Sequence, residues 1–210
     1  MGALAKPDGR AARSARTTQA LLDAFLEQVE RDPAEPPTAA RIAAGAGISE
    51  RALFFRFRDL DALFAAAAER QVERLAPLLK PCPTDGALVV RLATFARQRA
   101  RLLEAVRPVR RAAVRMQRSS PELARRLAAG RRLAEREIER VFAAELAGLP
   151  AAERRDRLDA LATVAEWSTW EALRTDRGLS VRRASRVLAA TLEAILVRPR
   201  PRGREPGGRR

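Results

Sequence analysis

The chain has 210 residues, enough for a small module and a larger domain that each bury a core. Hydrophobic residues make up 47% and charged residues 32%, with Ala, Leu, Arg and Glu prominent, a helix-forming composition that predicts an all-α fold of about nine helices. A net charge of +15 makes polyanions the first partners to consider, while the absence of His and a single cysteine, Cys82, argue against an enzyme, a metal site or a bound cofactor.

The charge has a bland reading too: Lys occurs only at Lys6 and Lys80 among abundant Arg and Ala, as a GC-rich coding bias would produce. No run approaches the roughly 20 apolar residues of a membrane span, and the N-terminus has no apolar leader. A cytoplasmic protein without a membrane partner is expected.

In chain order, residues 1–13 mix Gly, Pro and charge without apolar periodicity and are expected to form a basic disordered arm. Leu22, Phe25, Leu26 and Val29 then recur at helical spacing, predicting a helix that stops near Asp32 and Pro33. Past Pro36 and Pro37, Thr38 caps a short helix through Ala44 with Ile42 and Ala43 inward. Gly47 breaks it. Ser49 caps another short helix, whose Ala52, Leu53, Phe54 and Phe57 include the inward residues. Asp59 caps a fourth, running from Leu60 toward Leu79 with Leu63, Phe64 and Val72 inside.

Further helices are expected near residues 85–106, 108–118, 121–147, 151–175 and 180–196, with Pro108 and Pro121 in first turns and Gly130 as a possible break. The segment 198–210 carries six Arg against Glu205, interspersed with Pro and Gly, and is expected to be a disordered basic tail.

Two short helices joined by a Gly-containing turn make a helix-turn-helix, whose second helix enters the DNA major groove. Here the pattern spans Thr38 to Phe57, with Ala43, Ala46 and Ala52 small enough for close crossing, Gly47 at the reversal, and Ile42, Ile48 and Leu53 as a miniature core. The run Thr-x-x-x-Ile-Ala-x-x-Ala-Gly-Ile-Ser, followed by Leu-aromatic-x-x-Phe and Leu-Phe, resembles the signature of the TetR family of one-component regulators. The stretch from Glu166 to Arg174, then Gly178 to Ser180, is similar to the penultimate helix and turn of many members.

The resemblance implies a DNA-binding domain over residues 14–59 and a helical effector-binding and dimerisation domain over 60–197. It implies that Thr38 and Ser49 bind phosphate or cap helices, that Arg41 and Arg56 lie on the DNA side, and that Glu50, Arg51 and Phe55 face base edges or thymine methyls. Arg51 can donate two hydrogen bonds to guanine, or it is a phosphate clamp or a solvated residue. Phe54 stands where the family has Tyr, and with Phe57 reads more as core than as contact; Leu60 stands where it has Lys.

Apolar residues on two sides of the last two helices, among them Leu158, Leu161, Val164 and Trp170, then Val187, Leu188, Ala190, Ala194 and Val197, predict partners on two faces. The resemblance assigns them to a homodimer reading a palindromic double-stranded DNA operator, as a repressor released by a small-molecule effector. Phe95, Met116, Phe142, Trp167 and Trp170 are the large apolar side chains available for an effector pocket, or they are ordinary core or dimer seam. The alternative is a sequence-nonspecific basic DNA-binding protein.

Overall fold

The structure, a computed structural model, describes residues 9–32, 35, 37–78, 80–116 and 121–197. The C-terminal tail and residues 1–8 of the expected arm lie outside the described residues, as does the side chain of Met116. The described residues form an all-α fold of ten α-helices: α1 (Gly9–Arg31), α2 (Ala39–Gly45), α3 (Glu50–Arg56), α4 (Leu60–Leu75), α5 (Leu88–Met116), α6 (Pro121–Val141), α7 (Ala143–Leu146), α8 (Ala151–Val164), α9 (Trp167–Glu171) and α10 (Val181–Leu196). Residues 9–13, read from sequence as part of a disordered arm, are the first turn of α1. Arg13 Nε there donates to the Gly9 carbonyl, and the Thr17 and Thr18 hydroxyls donate one turn back to the carbonyls of Arg13 and Ser14.

The chain divides into two compact units, one formed by residues through Lys80 with Arg101–Arg131, the other by Pro81–Ala100 with Arg132 onward. In the first, Leu21, Phe25, Leu26 and Val29 of α1 pack with Ile42, Leu53, Leu63 and Phe64 around a single core. Phe25 and Phe64 meet edge to face with centroids 4.9 Å apart, a geometry that favours contact between the ring's positive edge and negative face. The α1–α4 seam is flanked by Asp23, whose carboxylate accepts from Arg74 at 2.9 Å and Arg70 at 3.4 Å. By these contacts α4 groups with the first three helices, where the division read from sequence puts the boundary at residue 60.

Two expectations about this unit are corrected. Val72 is exposed, because the buried face of α4 runs through Leu63, Phe64, Ala67, Gln71 and Leu75, and it is Gln71 that turns inward, donating to the Ala105 carbonyl at 3.4 Å. The break expected before Pro108 is absent, and α5 continues through it. A proline inside a helix forfeits a hydrogen bond and costs about 3 kcal/mol. Val109, Ala112 and Ala113, one to five residues later, are buried in the core of the first unit, and the burial that helix continuity gives them offsets that cost.

In the second unit Arg91 of α5 is 4% exposed and fully occupied, donating to the carbonyls of Gly86 and Val141 and pairing with the Glu145 carboxylate through two nitrogens. Gly130 does not interrupt α6, since an exposed glycine costs only about 1 kcal/mol relative to Ala. The single helix expected over residues 151–175 is three pieces: α8, α9 and a π-helical turn at Ala172–Asp176. The break at Ala165 and Glu166 persists because side chains take up the freed carbonyls: Arg99 Nε donates to Ala165 at 2.8 Å and the Thr169 hydroxyl to Thr163 at 2.7 Å.

Candidate nucleic-acid interface

Each short helix of the predicted motif starts at a side-chain cap, which offsets the weak intrinsic stability of a seven-residue helix. Thr38 Oγ1 accepts from the Arg41 backbone N–H at 3.4 Å, and Ser49 Oγ from that of Ala52 at 3.2 Å. Between the helices Gly47 has φ +69°, in the left-handed region, and the Gly47 and Ile48 N–H groups donate to the carbonyls of Ala44 and Ala43. A close helix approach falls at a residue the sequence did not single out: a Cβ on Gly45 would sit 3.2 Å from the Ala24 Cβ of α1.

The orientation of α3 follows from its burial pattern. Leu53 is 0% exposed and Phe57 and Ile48 pack against the same core, fixing which side faces in. Glu50, Arg51, Phe54 and Phe55 are left on the outward face, with Phe55 89% and Phe54 45% exposed. The reading of Phe54 as core is therefore corrected: at about 100° per residue it lies more than a quarter of a turn around α3 from the buried Leu53, on the exposed side. Ser49, Arg51, Ala52, Phe55 and Arg56 line a shallow hollow on this surface.

The remaining expected residues divide. Arg41 is exposed but held by an ion pair with Glu35 across the two prolines, a partner that sequence spacing alone did not reveal. Arg56 is half-buried and its Nη1 turns back to the Ala52 carbonyl at 3.1 Å. Leu60 packs partly buried against the core and contributes apolar contact there. Beside it the Asp59 side chain caps α4 from 2.7 Å; that bond from the Ala62 N–H, then the Arg58 guanidinium, holds its carboxyl below the usual range.

Of the aromatic residues considered for an effector pocket, Phe95 and Phe142 are buried and meet edge to face with centroids 5.4 Å apart. Trp170 is 1% exposed and Trp167 half-buried. Cys82 is buried too, its thiol donating to Gln98 Oε1 at 3.0 Å, and burial pushes that thiol up to about 11. Among the described residues no three His, Cys, Asp or Glu side chains lie together as a metal ion would require, and no helix is long and apolar enough to cross a membrane.

No family model and no curated protein sequence matches the chain. Among solved structures it is similar to a transcriptional regulator from Rhodococcus sp. Rha1, at 20% identity and a TM-score of 0.62, over 87% of this chain and 95% of that one. At that identity the likeness is one of fold.

Proposed function

We propose that this chain is a sequence-specific DNA-binding transcriptional regulator that inserts α3 into the major groove. The observation that carries the reading is the division of α3 into an anchored side, with Leu53 fully buried, and an outward side of Glu50, Arg51, Phe54 and Phe55 with no role in the fold. A short rigid helix held by its back and offering a cation flanked by apolar groups suits base edges, where Arg donates in pairs to guanine. The fold's likeness to a transcriptional regulator agrees with it.

The regulator acts as a homodimer on a palindromic operator. Supporting this, α10 buries Ala184, Leu188, Leu192 and Leu196 but leaves a second stripe of Val187, Ala190, Ala194 and Val197 exposed on the single chain. An apolar stripe of that length is covered at low cost by its symmetry mate, and twofold pairing matches an inverted repeat. It is a repressor, released when a small-molecule effector binds the second unit and favours a state whose two DNA-binding heads fit the operator less well. Phe95, Phe142, Trp167 and Trp170 are the side chains of that unit against which the effector would act.

The charge of +15 favours one other reading, sequence-nonspecific coating of DNA. Selection of bound duplexes from a random pool at physiological salt separates the two. An enriched inverted repeat is expected; binding without enrichment would replace the regulator with the coating protein.

A further inference from the structure

Phe55 is the most exposed large apolar side chain among the described residues, and it lies at the centre of the outward face of α3. Single exposed apolar residues are ordinary on protein surfaces. This one differs in its company. Arg51 stands one turn earlier on the same face, about 40° away around the helix, and both line one shallow hollow with Ser49, Ala52 and Arg56. The surface therefore pairs a forked donor with an apolar ring, and a second arginine, Arg56, lines the same hollow.

In the major groove the thymine C5-methyl is the apolar group a protein can meet, and guanine N7 and O6 are the acceptor pair that matches a guanidinium. We infer that Phe55 reads a thymine methyl next to the guanine read by Arg51, so that each half-site carries a thymine within about two base pairs of that guanine. The spacing follows from the helix: four residues rise about 6 Å, against a base-pair rise of about 3.4 Å. Phe54, about 100° around the helix from Phe55, is outside the hollow and is assigned no base.

The inference rests on α3 being the recognition helix, and its test is built so that the two fail differently. Starting from the duplex enriched by selection, each thymine is replaced singly by uracil, which removes the methyl and leaves charge and hydrogen-bonding groups in place. Binding of the full-length chain is then measured by fluorescence anisotropy. One thymine per half-site, within two base pairs of a guanine, is expected to lose about fourfold in affinity on losing its methyl. Phe55→Ala should bind the enriched duplex more weakly and become indifferent to that same uracil. Phe55→Leu should keep part of the sensitivity. An enriched duplex with no uracil-sensitive thymine, or sensitivity unchanged in Phe55→Ala, overturns the inference while the DNA reading stands. Failure of any sequence to be enriched overturns the reading on which it rests.

Discussion

Replacing Arg51 by Ala separates base reading from electrostatic attachment. Arg51 is exposed on α3 and makes no ion pair among the described residues, so its removal leaves no buried partner behind. Stability should change by less than about 0.5 kcal/mol, with an unaltered thermal unfolding curve. A bidentate contact to guanine is worth about 1–3 kcal/mol of discrimination, so affinity for the enriched site should fall roughly 5- to 150-fold while affinity for a scrambled duplex barely moves. The dependence of binding on salt should keep its slope. A phosphate clamp behaves oppositely: both duplexes weaken alike, and the slope in log salt drops by about 0.9 for each phosphate that is no longer neutralised. Anisotropy titrations on two duplexes across several salt concentrations distinguish the cases, and parallel weakening on both, or none on either, would refute the role assigned to Arg51.

Three further outcomes follow from the packing and titration behaviour. Arg91→Met leaves the largely buried Glu145 carboxylate without its ion-pair partner, so thermal or urea unfolding should show a loss of about 3–5 kcal/mol, much of it recovered in Arg91→Met with Glu145→Leu; equal losses in both variants would contradict the pairing. Asp59 has a folded-state pKa below its ordinary 3.8, so its charge contributes stability at higher pH that is lost as pH falls below about 4 through the folded value. The stability difference between wild type and Asp59→Asn should therefore shrink on acidification through that window, and a difference that grew would invert the sign. With its thiol pushed up to about 11, Cys82 should react with iodoacetamide at about pH 8 on the order of a hundredfold more slowly in the folded chain than in urea; equal rates would show the thiol to be exposed.

Local chemistry was the part of this fold most legible in the sequence. Thr38, Ser49 and Asp59 were each readable as caps because a cap needs only a side-chain oxygen and an N–H three residues on, and all three make that bond. Gly47 was readable for the same reason, since its positive φ is set by the turn itself. Where the structure departs from the sequence reading at Pro108 and between α8 and α9, the deciding contact lies far along the chain. Pro108 reads locally as a helix start, yet the core holding Val109 and Ala112 is built by α1 and α4. The split between α8 and α9 depends on Arg99, 66 residues from the carbonyl it serves.

The same distinction applies at the interface. Leu53 inward and Arg51 outward follow from helical periodicity, whereas the apolar character of Phe54 suggests core and its angular position on α3 puts it outside. The pairing of Arg41 with Glu35 could not be foreseen, since it depends on how the chain turns between α1 and α2.

The central claim is that α3 reads sequence, and the most direct measurement is the ratio of dissociation constants of the full-length chain for its enriched duplex and a scrambled duplex at physiological salt. A sequence-reading α3 predicts a ratio of roughly a thousandfold or more, with two chains bound per inverted repeat. A ratio near one would contradict it.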